Sequence, residues 1–219
     1  METENIVFKN FENKKKNLSI KKKLFKFLNF KNLFKKYPLL ISLTDEYDYT
    51  FEKEKLKKLK QYSEFNLIGM GGSILGAEAI YDFLNHKIKK KFFFLNNLQN
   101  RKISKSKNKR LNLIISKSGN TLETNSNLNL ILTKQNKNHN LIITENKKNI
   151  LSKISHKLKA DIIEHKNYIG GRYSVLSEVG MLPAELMGLN EKKFKRLNYL
   201  IKNKKFMNYL VQNVSSIYS

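Results

Sequence analysis

Between Ser116 and Thr124 the chain reads SKSGNTLET, directly after the apolar run Leu111 to Ile115. Three hydroxyls (Ser116, Ser118 and Thr121), the ammonium of Lys117 and a glycine thus lie where a buried strand gives way to a helix. These residue types suit an anion, because backbone N–H groups at a helix start and short hydroxyl side chains converge on a phosphate. Helix capping alone needs fewer of them. Asn120 with Glu123 three residues on reads as an N-cap pair. Earlier in the chain, Phe65 to Ile68 is followed by GMGGSILG, Gly69 to Gly76, and then by a helix-like stretch. The glycines let the backbone come close to a ligand at Gly72, and Ser73 can both cap a helix and donate to a phosphate. This loop lacks the Gly-Lys-Ser/Thr ending of a nucleotide P-loop and has no acidic residue placed for a ribose, so a phosphate ester fits it better than a nucleotide. A third segment, Gly170-Gly171-Arg172, can aim a guanidinium into the same cleft to hold a carboxylate, a phosphate or a developing oxyanion.

The elements that must position these groups alternate. Strands are expected at Phe65 to Gly69, Lys91 to Leu95, Leu111 to Ser116, Asn140 to Thr144 and Asp161 to Ile163. Helices are expected at Ser73 to Leu84, Thr121 to Thr133 and Lys148 to Leu158. Short apolar strands separated by amphipathic helices indicate an α/β fold: a five-stranded, mostly parallel sheet covered on both faces, a three-layer αβα arrangement. In such sheets ligands bind beyond the carboxyl ends of the strands, where both loops would lie at the same edge. A helical N-terminal segment, residues 1–62, precedes the sheet. In it Leu18, Leu24, Phe27, Leu28 and Phe34 form an imperfect stripe that Pro38 interrupts, and a second helix spans about Phe51 to Tyr62. The sheet domain is expected over residues 63–190, and residues 191–219 read as the helical start of a connection.

Composition bounds the chemistry. The chain has 219 residues and no cysteine, which excludes disulfides and thiolate metal sites and fits a reducing, cytoplasmic setting. No apolar run approaches the roughly 20 residues needed to span a bilayer. The N-terminus lacks an apolar signal core and makes a poor transit peptide. The net charge is +25, but only Arg101, Arg110, Arg172 and Arg196 among the 43 basic residues are arginine. Base-reading surfaces favour arginine for its bidentate fork, so no specific nucleic-acid partner is expected and the charge reads as a solvated surface. His86, His139, His156 and His165 show no metal-ligand spacing and are expected at the surface. Glu178 and Glu185 have no evident partner, and Phe92 to Phe94 reads as a buried strand.

Together, IGMGGSILGAEAIYDFL, SKSGNTLET and GGRYSVLSEVGMLPAELMG resemble the glucose-6-phosphate isomerase family, built from sugar isomerase (SIS) domains, over about Phe65 to Asn190. The last motif is the most discriminating. The resemblance implies interconversion of glucose 6-phosphate and fructose 6-phosphate, in glycolysis and gluconeogenesis, with a hexose 6-phosphate as substrate and no cofactor. It implies that Gly72, Ser73, Ser116, Lys117, Ser118 and Thr121 hold the sugar phosphate and that Arg172 stabilises the enediolate. Ile74 departs from the pattern, since many members carry aspartate after the serine. The family's glutamate, histidine and lysine for ring opening and proton transfer come later, in or near a second SIS domain, and no residue here matches them. The chain is therefore expected to be the N-terminal half of an isomerase that is a homodimer when complete. The alternative is a non-catalytic sugar-phosphate-binding module.

Overall fold

The computed structural model of the chain describes residues 18–27, 30–98, 108–134, 139–196 and 203–217. Two compact units emerge: Tyr47–Glu191, and a second one formed by Met1–Glu46 with Lys192–Ser219. The first unit thus takes in residues 47–62, which the sequence assigned to the N-terminal segment.

The larger unit is built on five strands, β1 (Glu64–Ile68), β2 (Lys91–Leu95), β3 (Arg110–Ile115), β4 (His139–Thr144) and β5 (Asp161–Glu164). They form one sheet in the order β2-β1-β3-β4-β5. Every pairing is parallel. Each strand therefore ends at the same edge of the sheet, and β1 and β3, which carry the two candidate loops, are immediate neighbours. The helices of this unit are α3 (Lys53–Leu59), α4 (Leu75–Leu84), α5 (Leu122–Lys134), α6 (Ile150–Leu158) and α7 (Glu178–Leu186).

Alternation along the strands sends two sets of side chains to two different covers. Phe65, Leu67, Leu111, Leu113, Ile115, Leu141 and Ile143 pack with Leu56 and Leu59 of α3, Ala77 of α4 and Val179, Leu182 and Leu186 of α7. On the other face Ile68, Ile114 and Ile142 meet Leu128 and Ile131 of α5 and Leu151 of α6. This second face is apolar only toward the strand ends. One layer further in, Asn66, Asn112 and Asn140 lie side by side in register. Asn66 Nδ2 donates to Asn112 Oδ1, and Asn112 Nδ2 donates to Asn140 Oδ1, each at 2.8 Å. All three are buried, and Asn66 Oδ1 at the end of the ladder has no hydrogen-bond partner among the described residues. Below them Arg110 Nε donates to Glu64 Oε2 at 2.7 Å, with both side chains at most a tenth exposed. The triplet Asn-Leu-Ile recurs in β1, β3 and β4, and the register turns that repetition into a buried polar row.

The smaller unit comprises α1 (Leu18–Phe27), α2 (Phe30–Lys36), a 3-10 turn over Pro38–Leu43, and α8 (Lys204–Ile217). The chain leaves α2 before Pro38, which opens the 3-10 turn, as the restriction that a proline places on its predecessor requires. Leu33 and Val211 are its most buried apolar side chains. Residues 1–17 and Leu28, part of the expected lead-in, lie outside the described residues.

Candidate functional site

β3 ends at Ile115, and its loop is organised around Ser116. The Ser116 hydroxyl lies 2.9 Å from Thr121 Oγ1 and accepts the Gly119 N–H at 3.1 Å. Ser118 Oγ accepts the Asn120 N–H and lies 3.5 Å from Thr121 Oγ1. The three predicted hydroxyls therefore form one cluster, at the mouth of α5. Among the described residues no acceptor is found for the amides of Leu122, Glu123 and Thr124, the opening turn of that helix; the loop's first helical bond is Asn125 N–H to the Thr121 carbonyl. These unspent donors and hydroxyls are the groups an anion would need.

Beside them, β1 runs into a 3-10 turn, Gly71–Ser73, and then α4. Ser73 does not cap α4 as expected: the N-cap position falls to Ile74, with no side-chain cap bond. The tight turn delays the helix by one residue and leaves Ser73 half-buried, its hydroxyl without a partner among the described residues. The two loops meet at Gly69, where a Cβ would sit 3.1 Å from the Ile115 carbonyl and 3.3 Å from Ser73 Cβ. Gly72 faces the third segment. A Cβ there would overlap the backbone of Gly171, and Ser174 Oγ donates to the Gly72 carbonyl at 3.1 Å. Arg172 stands in that 3-10 turn, Gly171–Tyr173, with its side chain exposed. The structure thus brings Gly72, Ser73, Ser116, Ser118, Thr121 and the turn carrying Arg172 to one edge of the sheet.

Lys117 is placed differently. Its ammonium lies 3.3 Å from Glu145 Oε1, after β4, and donates to the Asn167 carbonyl, after β5, at 2.7 Å. It leans along the sheet away from the β1 loop. Burial works to raise the Glu145 carboxyl, but hydrogen bonds from Lys147 and Lys117 outweigh it and hold the group below its ordinary value.

Several residues take roles that their local sequence did not suggest. Asn120 does not pair with Glu123; its Oδ1 accepts the Ile150 N–H at the start of α6, at 3.0 Å. Asn149 caps α6 in a reciprocal box with Ser152. His165 is buried, not at the surface. Its Nδ1 lies 3.1 Å from the Lys166 carbonyl, and burial holds the imidazole below its ordinary value. Glu178 is fully buried and does have partners: the Tyr47 hydroxyl at 2.9 and 2.8 Å and the Thr50 N–H at 3.2 Å. Burial and the nearby Glu178 push the Tyr47 phenol far above its usual range. Glu185 pairs with Lys60 at 2.6 Å. A cavity of about 1070 Å³ opens at the opposite edge of the sheet, among Ser63, Lys109, His139 and Asp161. It contains none of the candidate site residues, which lie at the other edge.

The fold is that of SIS-type phosphosugar isomerases. A structure of a hypothetical protein from Thermus thermophilus superposes with a TM-score of 0.65 at 20% identity, covering 91% of this chain and 51% of that one. Tagatose-6-phosphate ketose/aldose isomerase from Escherichia coli gives 0.53 at 13% identity, covering 68% and 45%. In sequence, the family model described as phosphoglucose isomerase matches residues 33–209, and the chain belongs to that family. Glucose-6-phosphate isomerase of Methanocaldococcus jannaschii is 35% identical over 147 residues, covering 64% of this chain and 37% of that protein. The enzyme of the same name from Borreliella burgdorferi is 32% identical over 175 residues, covering 66% and 32%. The chain therefore spans about a third of the length of these curated relatives.

Proposed function

We propose that this chain provides the sugar-phosphate half of a glucose-6-phosphate isomerase site. Its substrate is a hexose 6-phosphate, and its reaction is the aldose–ketose interconversion of glucose 6-phosphate and fructose 6-phosphate, in the cytoplasmic traffic of glycolysis and gluconeogenesis. The observation that carries this reading is the open start of α5, where the amides of Leu122, Glu123 and Thr124 have no acceptor among the described residues and stand beside the hydroxyls of Ser116, Ser118 and Thr121. A phosphate dianion satisfies several of these donors at once, and the partial positive charge at a helix start adds to the attraction. Gly72 and Ser73 are proposed to face the same phosphate from the β1 side, where the two loops meet. Lys117 adds positive charge near the loop while tethered to Glu145.

In the isomerisation a proton leaves one carbon of the opened sugar and returns to its neighbour, through a cis-enediolate whose oxygen carries developing negative charge. Arg172 is the group proposed to meet that charge, since a guanidinium placed beside an oxyanion favours the transition state over the ground state. No residue of this chain is assigned as the carboxylate base. A positioned base contributes about 10²–10⁴-fold, so residues 1–219 alone are expected to bind hexose phosphate and turn it over slowly. The assembled enzyme is proposed to be a homodimer.

Calorimetric titration of the chain with glucose 6-phosphate and fructose 6-phosphate tests the binding, and an isomerase assay of the same sample tests the division of labour. Absence of binding overturns the reading. Robust turnover would place a base among these residues.

A further inference from the structure

We infer that Asn149, a residue outside the hydroxyl loop, is a positioning residue for it; the inference rests on the sugar-phosphate reading above. Three connections run from Asn149 and its neighbours into the loop. The Asn149 amide nitrogen donates to Thr144 Oγ1 at 3.1 Å, and that hydroxyl donates in turn to the Lys117 carbonyl at 3.3 Å. The Leu151 N–H donates to the Gly119 carbonyl at 3.2 Å. Finally, the Asn149 side chain presses on Gly119, which adopts φ +68° and where any Cβ would overlap the amide. Asn149 and Thr144 are 4% and 1% exposed, so this relay works out of reach of water, where a hydrogen bond has no solvent competitor.

Gly119 lies between Ser116 and Thr121, the two hydroxyls that would grip the phosphate. Its carbonyl, its left-handed backbone and the Lys117 carbonyl are all held from the β4 side. Preorganisation of this kind places donors before the ligand arrives and removes the entropic cost of ordering them at binding. Asn149 thereby does two things that can be separated. Its Oδ1 caps α6 through the Ser152 N–H, which any short hydroxyl can do. Its Nδ2 and its bulk against Gly119 brace the loop, which a serine cannot do.

The test uses the full 219-residue chain with Asn149→Ser and, independently, Thr144→Val, which removes the relay's central hydroxyl at nearly constant shape. Thermal unfolding, amide hydrogen exchange at Gly119 without ligand, and calorimetry with glucose 6-phosphate are measured on each. Asn149→Ser is expected to unfold near the wild-type temperature, to exchange faster at Gly119, and to bind about three- to ten-fold more weakly, the loss that one or two net hydrogen bonds produce. Thr144→Val should shift exchange and affinity in the same direction. Unchanged exchange at Gly119 in both variants overturns the brace. So does an affinity loss that only parallels a drop in unfolding temperature, because that marks a purely structural cap. If the wild-type chain binds no sugar phosphate, the functional reading falls, while the exchange measurement still decides whether the brace exists.

Discussion

Two helices follow neighbouring strands of one sheet after loops of six and five residues, and they treat their first turns in opposite ways. At α6 the Asn149 N–H goes to Ser152 Oγ, the Ile150 N–H to Asn120 Oδ1, the Leu151 N–H to the Gly119 carbonyl and the Ser152 N–H to Asn149 Oδ1. At α5 no acceptor is found among the described residues for the amides of Leu122, Glu123 and Thr124. An α-helix leaves its first four N–H groups without intrahelical partners wherever it occurs. Folding stability is served by satisfying them and ligand binding by leaving them unsatisfied. Here the satisfied terminus holds the unsatisfied one in place, since two of its acceptors, Asn120 Oδ1 and the Gly119 carbonyl, belong to the α5 loop.

The contrast can be broken most severely at Gly72. A Cβ there overlaps the Gly171 backbone, so Gly72→Ala should force the β1 loop and the Arg172 turn apart. Such overpacking costs about 1–3 kcal/mol, readable by urea unfolding, and glucose 6-phosphate binding should fall with it. Next comes the open terminus itself. Ser116→Ala with Thr121→Ala removes two hydroxyl partners worth about 0.5–1.5 kcal/mol each, and calorimetry should show a loss of about ten-fold or more with the unfolding curve little changed. Asn120→Ala acts at the junction, releasing the Ile150 N–H. It is expected to lower stability by about 0.5–1.5 kcal/mol and to weaken binding less than the double change does. The smallest effect belongs to pH. Because burial lowers the folded-state pKa of His165, the unfolded chain takes up the proton first as pH falls through its ordinary value of about 6.5. Stability should decline from there down to the folded-state pKa, and His165→Gln should flatten that part of the profile, measured by unfolding at stepped pH.

Much of this comparison was open to a reader of the amino-acid string. All five strands fall within a residue or so of where apolar runs put them, because both faces of a parallel sheet are buried and the runs are nearly continuous. The two candidate loops, Ser116 to Thr121 and Gly69 to Ser73, could be picked out for the same reason: hydroxyls and glycines stand out against those runs. What escaped was set by partners distant in the chain. Glu178 finds the Tyr47 hydroxyl across 131 residues, and nothing near either one announces the other. Asn120 looked like a cap for the helix that follows it, yet the residue it serves is 30 positions on. His165 shows no metal-ligand spacing and was expected at the surface, yet it is buried just after a strand that is itself largely exposed. One signal was present and went unread: Asn-Leu-Ile in three strands, with the asparagine always two places before an isoleucine that points to the same face.

That asparagine row bears on how the chain assembles. Its members are far apart in sequence, 46 positions between Asn66 and Asn112 and 28 between Asn112 and Asn140, and parallel pairings of such separation form slowly. Leucine and isoleucine alone would let one strand settle beside another in almost any alignment, since oil tolerates oil. An amide does not share that indifference: out of register it would enter the interior with nothing to bond, at about 1–3 kcal/mol per stranded group. The row thus works as an address written across three strands. A nascent sheet that misreads it by a single residue is the less stable for it, and comes apart to try again.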